Sequence, residues 1–312
     1  MSRKQSSAVH LTSFVGGIAG DSGGRRKRFS PTRHSRHIIQ KRGWCVRGGV
    51  DRILGVDFSG ARDAGQKIWL TVGVERGGEL HVKSSVPAGQ QFGADSREEC
   101  LAGLRSAIGK ADVVGLDFPF GLPAVVCEHE EWRSVCRWIA EDVTDPDELQ
   151  EVCVDRAKAA TDGESAYLRR ATDEPHGALS PYHWFTAAQT FYGVGNVLWP
   201  LLREGTIRIE PMGDGSGTPV CEIYPAGTLQ DVGLPADRYK DDTDEARQRR
   251  ETIVEGLRLT PLSLHGIEDH LIADVGGDAI DSLLAALAAW RASREGFEPS
   301  EPWDPLEGHI YV

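Results

Sequence analysis

The feature that most constrains the fold is an apolar helical run near the end of the chain, GGDAIDSLLAALAAW, residues 276–290. It begins with two aspartates, Asp278 and Asp281, three positions apart. Because residues i and i+3 share a face of a helix, both carboxylates are predicted to point the same way. Capping explains this pattern if Asp278 is the N-cap and Asp281 lies in the first turn, where the helix dipole favours an acid. A functional site explains it equally well, but requires partner residues elsewhere in the chain.

The charge of the chain is divided unevenly. Residues 1–50 hold eleven Lys and Arg against one acidic residue, whereas residues 51–312 hold 24 basic against 46 acidic residues. The basic part, with GGRRKRFSPTRHSRH, predicts a disordered arm that can contact nucleic-acid phosphates. An alternative is that the working protein starts near Val50. The acidic remainder has five lysines against nineteen arginines, a balance that suggests a halophilic cytoplasm of very high salt.

Length, hydropathy and cysteine spacing exclude several classes of protein. A chain of 312 residues is long enough for one large domain or two ordinary ones. No apolar run approaches eighteen residues and the start lacks a signal-peptide pattern, so we expect a cytoplasmic protein without membrane contact. The cysteines form no C-x-x-C pair, which argues against a disulfide framework or zinc ribbon. The nearest approach to a zinc cluster is Cys127, His129, Cys136 and Cys153, whose spacing fits no common zinc pattern.

The order of periodic segments from Arg52 onward predicts an α/β fold. Alternating or β-rich runs predict a mixed five-stranded sheet flanked by helices. Ser96 followed by Glu99 predicts a capped helix over residues 96–111. Residues 124–205 are predicted to be a mainly helical insertion. The five strands are expected near residues 52–58, 67–75, 79–86, 112–117 and 220–224.

Acidic residues stand at four comparable places in this predicted fold. Asp57 lies in the first strand, Asp117 ends the fourth and Glu222 is placed at the start of the fifth, while Asp278 and Asp281 head the last helix. Neighbouring strands lie about 4.8 Å apart, so carboxylates on them can converge. Converging carboxylates repel unless a cation lies among them, and hard oxygen ligands suit Mg²⁺ or Mn²⁺. A pair of such ions would activate a water and stabilise the leaving oxygen in phosphodiester hydrolysis.

Each acid also has a purely structural explanation. Asp57 is the hardest to explain in this way, because a carboxylate in the short apolar run LGVDFSG is costly without a partner. Asp117 precedes Phe-Pro and can bond to turn amides. Glu222 can face solvent, since alternate residues of a strand point to opposite faces.

The element order and the positions of the acids resemble the RNase H-like superfamily. DAIDSLLAALAAW is similar to the terminal D-x-x-D-A-x-x-x-A helix of RuvC-type Holliday-junction resolvases, with Ser282 in place of the usual alanine. The chain as a whole is closer to domain-of-unknown-function family 429, whose members are described as predicted nucleases of this fold. The match covers most of residues 52–290. It is carried by GVDFSGA, GLDFPFGLP, LRRATD, SPYHWFTAAQTFYGVGNVL, EIYPAGTL, RYK and GDAIDSLLAALAAW.

This resemblance implies a metal-dependent nuclease that uses Mg²⁺ or Mn²⁺. Asp57 would bridge two metal ions, Asp117 and Asp281 would complete the shell with Asp278 as a lesser ligand, and Glu222 would be a ligand or orient the water. The residues expected to bind substrate are Ser59, Arg169, Arg170 and Lys240. The substrate, DNA, RNA or a small phosphodiester, and the oligomeric state remain open.

Two other functions remain open at this point. Actin-like and sugar-kinase ATPases also begin with a strand and turn such as GVDFSGA, which holds a nucleotide phosphate, but they repeat it in a second domain that this sequence lacks. A non-catalytic nucleic-acid-binding module is the other alternative, with structural acids and a partner bound by the basic arm or by Arg169, Arg170 and Lys240. Binding of Mg²⁺ or Mn²⁺ distinguishes the binding module from the two enzymes, and ATP binding distinguishes the enzymes from each other.

Overall fold

A computed structural model describes residues 52–312, so the predicted basic arm, residues 1–50, lies outside the described part. Its centre is a mixed sheet in the order β3-β2-β1-β4-β7. Strand β1 pairs antiparallel with β2 and parallel with β4, which in turn pairs parallel with β7. These five strands match the predicted ones to within two residues at every end. They are β1 Arg52–Asp57, β2 Trp69–Arg76, β3 Glu79–Pro87, β4 Val113–Asp117 and β7 Thr218–Ile223.

The prediction of only five strands is wrong, because four short strands extend the sheet within residues 52–312. Each has two to four residues, too few for a periodic pattern in sequence. The resulting sheet is open and flanked by helices, an α/β arrangement compatible with an RNase H-like fold. The additional strands are β5 Ile207–Glu210, β6 Asp214–Gly215, β8 Leu262–Ser263 and β9 Ile310–Tyr311.

The terminal helix lies directly across the centre of the sheet. It is α11, Asp278–Arg294, and it packs on β1, β2 and β4. Residues 279–290 are all buried, because other helices cover the side of α11 that faces away from the strands. A helix that is apolar all round is expected to be enclosed in this way. The helices of this layer are α8 Pro225–Asp231, α9 Asp244–Leu257 and α10 Glu268–Ala273.

The opposite face of the sheet is covered by α3, Arg97–Ile108, and by the segment between β4 and β5. The predicted cap of α3 is confirmed, since the Glu99 amide donates to the Ser96 hydroxyl and that hydroxyl donates to the Glu99 carboxylate. Two short helices, α1 Ala64–Lys67 and α2 Ala88–Phe92, complete the first half of the chain.

The segment 124–205 is mainly helical, as predicted, and its buried side chains join one core with those of β1 and β4. This segment is therefore part of the cover of the sheet. No helix among residues 52–312 is long and apolar enough to cross a membrane. Its elements are a 3₁₀ turn Ala124–Val126, α4 Trp132–Glu141, α5 Pro146–Ala160, α6 Ala187–Tyr192, a π-helical turn Gly193–Leu198 and α7 Trp199–Arg203.

Candidate carboxylate site

Asp57 and Asp117 end two adjacent parallel strands and are direct partners in the register between β1 and β4. Paired residues of adjacent strands point to the same face, so both carboxylates lie on the side of the sheet that α11 covers. Asp57 is 8 % exposed, whereas Asp117 is only partly buried. The sequence prediction that these two acids converge at neighbouring strand ends is thus met by the register itself.

Asp281 of α11 completes a group of three carboxylates. One carboxylate oxygen from each of Asp57, Asp117 and Asp281 lies within 4.8 Å of the others, the one such cluster of candidate metal ligands among residues 52–312. Two glycines let the helix come this close. A Cβ atom on Gly55 would lie 2.1 Å from the amide nitrogen of Ala286, and one on Gly115 would lie 2.4 Å from the carbonyl oxygen of Ala285. No side chain other than hydrogen fits at these positions without moving the helix.

Asp281 is held from two sides. Its side chain is 1 % exposed, and its Oδ1 accepts a 2.6 Å hydrogen bond from the Tyr239 hydroxyl. The ammonium group of Lys240 contacts Oδ2. A cleft of about 320 Å³ opens beside these groups and is lined by Asp117, Tyr224, Tyr239, Lys240 and Asp281, among others. The carboxylate group is thus accessible from one side.

The electrostatics of the cluster follow from burial and like charge. Burial, and then the Asp281 carboxylate, raises the pKa of Asp57 well above its ordinary value, and the same two causes act on the pKa of Asp117. Partial burial disfavours the charged form of Lys240, whose side chain is 49 % exposed, but the carboxylates of Asp281, Asp57 and Asp117 outweigh this effect and raise the pKa of Lys240. Three converging hard oxygen donors fit Mg²⁺ or Mn²⁺. Lys240 supplies part of the positive charge that such an ion would bring.

Asp278 lies outside this group of three, as the first residue of α11. Its carboxylate is 3.9 Å from the Lys67 ammonium. The explanation of Asp278 as an N-cap is wrong: the cap is Gly277, at a φ of 74°. Gly277 has no side chain that could accept a capping hydrogen bond. The Ala279 amide in the first turn donates instead to the Asp274 carboxylate at 2.8 Å, so the capping bond comes from Asp274, which the sequence did not single out.

Glu222 lies on the other face of the sheet. It is the fifth of six residues in β7, rather than at the start of the strand as expected, and it pairs with Leu116. Since Leu116 and Asp117 alternate, Glu222 points away from α11. Its carboxylate accepts from the Phe120 amide at 2.8 Å and from both terminal nitrogens of Arg170. Glu222 is therefore engaged with protein groups and is separate from the three aspartates.

Arg170, expected to bind substrate, is enclosed in the core. Its side chain is 1 % exposed, and its guanidinium donates to the Glu222 and Asp173 carboxylates at 2.5–3.2 Å and to the Glu307 carbonyl at 3.1 Å. A substrate contact would require Arg170 to leave a buried carboxylate unpaired, which is costly. The neighbouring Arg169 is exposed. The ion-pair network could not be predicted from LRRATD, because sequence alone does not show which of two adjacent arginines points inward.

Ser59 lies two residues beyond β1, and its hydroxyl accepts from the Ala61 amide at 3.2 Å. It closes the turn that follows Asp57, and any contact with substrate stays a prediction.

The possible zinc cluster of cysteines and a histidine is not assembled within residues 52–312. The Cys127 thiol is directed at the backbone carbonyls of Leu122 and Pro123. Burial raises the pKa of Cys127 and of Cys153 to about 12.

The fold and the site together define a mixed α/β protein with three acids where two parallel strand ends meet the start of a buried helix. The model of a family described as Protein of unknown function (DUF429) matches residues 55–304, and the chain belongs to this family. The match includes all three aspartates and confirms the family resemblance seen in the sequence. No curated protein and no solved structure matches the chain.

Proposed function

We propose that this protein is a metal-dependent phosphodiesterase that hydrolyses nucleic acid. The observation that carries the proposal is the convergence of Asp57, Asp117 and Asp281, with their carboxylate oxygens within 4.8 Å of one another. Buried like charges are unfavourable without a cation, and the cluster lies beside an open cleft. Buried acids whose pKa values are raised by burial and like charge cluster at functional sites, where they serve chemistry at a cost in stability.

Asp57, Asp117 and Asp281 are the residues that would hold Mg²⁺ or Mn²⁺. When bound, such ions lower the pKa of a water molecule and stabilise the charge of a leaving oxygen. The tyrosine hydroxyl of Tyr239 fixes the orientation of Asp281. The Lys240 ammonium lies at the cleft and provides a positive charge for a phosphate group.

A neighbouring aromatic loop supports a nucleic-acid substrate over a small phosphodiester. The side chains of Trp184 and Phe185 are each 61 % exposed. A second cleft is lined by Leu179 and Thr186, which flank this loop, and also by Asp117. Exposed aromatic rings beside a cleft that reaches Asp117 are suited to stacking on unpaired bases.

The ATP-binding alternative has less support. Proteins of that type contain two similar α/β halves, whereas residues 52–312 form one sheet. The turn after β1 offers Ser59 and Gly60, but Gly60 is packed against the backbone of Ala188, where a Cβ atom would lie 2.5 Å from the carbonyl oxygen. ATP hydrolysis remains a useful counter-assay.

The proposal is tested by incubating the full chain with labelled single-stranded DNA, duplex DNA and RNA, in Mn²⁺, Mg²⁺ or EDTA. Cleavage should require the metal and be lost in Asp57→Asn, which keeps the shape of the side chain and removes its charge. Asp155→Asn is the matched control, because Asp155 is an exposed acid on α5. Cleavage that persists in Asp57→Asn would overturn the proposal. Absence of both metal binding and cleavage would favour a non-catalytic module.

A further inference from the structure

Lys240 contacts one of the three carboxylates that would hold a metal ion. Its ammonium contacts Oδ2 of Asp281, while Oδ1 already accepts from Tyr239. Lys240 is also the cation that acts on the charges of Asp57 and Asp117. The other nearby lysine, Lys67, lies beside Asp278 instead.

We propose that Lys240 is the resident counter-ion of the carboxylate site, and that a divalent metal ion must displace it from Asp281 in order to bind. The inference rests on the metal-binding part of the proposed function. An ammonium on Oδ2 and a divalent ion on the same carboxylate repel each other, and the burial of Asp281, which is 1 % exposed, reduces the screening of this repulsion by water. The two cations therefore compete for one place.

The structure indicates which partner moves. Asp281 is 1 % exposed and belongs to a helix buried between the sheet and other helices, whereas the Lys240 side chain is 49 % exposed at the cleft. The backbone on either side of Lys240 is fixed, since the buried Arg250 donates to the carbonyls of Tyr239 and Asp241 at 2.7 and 2.9 Å. Only the flexible four-carbon stem of Lys240 has to rotate into the cleft.

This arrangement has a functional consequence. Without metal, Lys240 neutralises part of the repulsion among the acids and stabilises the fold. With metal, the released ammonium remains beside the cleft, where an anionic substrate enters. On metal binding, the Lys240 ammonium is thus replaced at Asp281 by a divalent ion from solution. The metal affinity of the site is therefore lower than that of three carboxylates without a competing cation.

The test is a calorimetric titration of the metal-free full chain with Mn²⁺. Lys240→Met keeps the length of the stem and removes the charge, and should tighten Mn²⁺ binding by about tenfold, equivalent to about 1.4 kcal/mol. It should also lower the melting temperature of the metal-free protein. Lys240→Arg retains the competing charge and should keep affinity near that of the wild type. The matched control is Lys67→Met, because Lys67 is 50 % exposed and its ammonium lies beside Asp278 rather than Asp281, so the Mn²⁺ affinity of this variant should change less than about twofold.

A second measurement does not depend on the variant's stability. After reductive methylation with ¹³C, which keeps lysines charged, the NMR signal of Lys240 should move on addition of Mg²⁺, and that of Lys67 should not. If the wild type binds Mn²⁺ but Lys240→Met binds it no more tightly, or the Lys240 signal stays still, the counter-ion role is overturned and the proposed function stands. If the wild type binds no Mn²⁺ or Mg²⁺, both fail together.

Discussion

Gly55 and Gly115 are direct partners across β1 and β4, and both lie against the backbone of α11. Each stands two residues before an aspartate of the site, so the same face carries both the contact with the helix and the carboxylates. The sheet and α11 can approach this closely because each glycine has only a hydrogen atom where other residues have a Cβ. This contact also sets how close Asp281 comes to Asp57 and Asp117.

Adding a methyl group at this contact should loosen the site. Gly55→Ala would place a Cβ 2.1 Å from the Ala286 amide, and we expect a loss of about 1 to 3 kcal/mol in the free energy of unfolding. Mn²⁺ affinity should fall as Asp281 moves away. Denaturant unfolding and calorimetry measure the two effects. The control is Gly195→Ala, whose Cβ would be 3.5 Å from the nearest atom, and equal losses in both variants would refute this role for Gly55.

The charge of Asp57 should destabilise the metal-free protein. Because its pKa is raised in the folded state, the folded protein holds the proton more tightly than the unfolded chain does. The resulting stability is present below the ordinary pKa of 3.8 and is lost as the pH rises through the folded pKa. The stability of Asp57→Asn relative to the wild type should therefore increase as the pH rises through the folded pKa of Asp57.

Thermal unfolding in EDTA between pH 4 and 8 measures this difference. Asp155→Asn, with the same chemical change on an exposed surface, should show no growing difference from the wild type. A constant difference for Asp57→Asn across the range would show that repulsion among the acids is absent.

Glu222 should matter for stability and leave metal binding intact. Glu222→Gln leaves the buried charge of Arg170 with one partner fewer, and we expect a loss of about 3 to 5 kcal/mol in the free energy of unfolding. Mn²⁺ stoichiometry per folded molecule should be unchanged. Glu251→Gln, in an exposed pair with Arg247, is the control and should change stability little. If the folded Glu222→Gln variant bound no Mn²⁺, the expectation that Glu222 is a metal ligand would be supported instead.

The aromatic loop should govern binding of long substrates only. In the Asp57→Asn background, where we expect no cleavage, Trp184→Ala should weaken binding of a single-stranded oligonucleotide by about 5- to 50-fold. The single variant Trp184→Ala, in which Asp57 is intact, should hydrolyse bis(p-nitrophenyl) phosphate at the wild-type rate. Fluorescence anisotropy of the oligonucleotide measures the first effect. Unchanged oligonucleotide affinity would remove the argument for base stacking.

The sequence predicted the parts of the site that depend on local pattern. Asp57 and Asp117 each end a short apolar strand, and Asp281 lies in the first turn of an apolar helix, so the sequence indicates a buried charge at each place. The sequence does not show on which face of the sheet each side chain of β7 lies, because a shift of one residue in the register would place Glu222 on the other side.

Long-range partners were also hidden from sequence reasoning. Tyr239 approaches Asp281 across 42 positions, and Glu307 approaches the Arg170 guanidinium across 137. No local pattern marks either contact. Short strands such as β8 and β9 exist because neighbouring strands supply their hydrogen bonds, and two residues carry no periodic signal of their own.

The most direct test of the account is a crystal structure of the full chain grown with Mn²⁺, using the anomalous signal of the metal. The account predicts at least one Mn²⁺ peak bound by oxygens of Asp57, Asp117 and Asp281, at about 2.1 to 2.3 Å from each, with Lys240 no longer on Asp281. A structure at saturating Mn²⁺ with no peak among these three carboxylates, and Lys240 still in contact with Asp281, would contradict it.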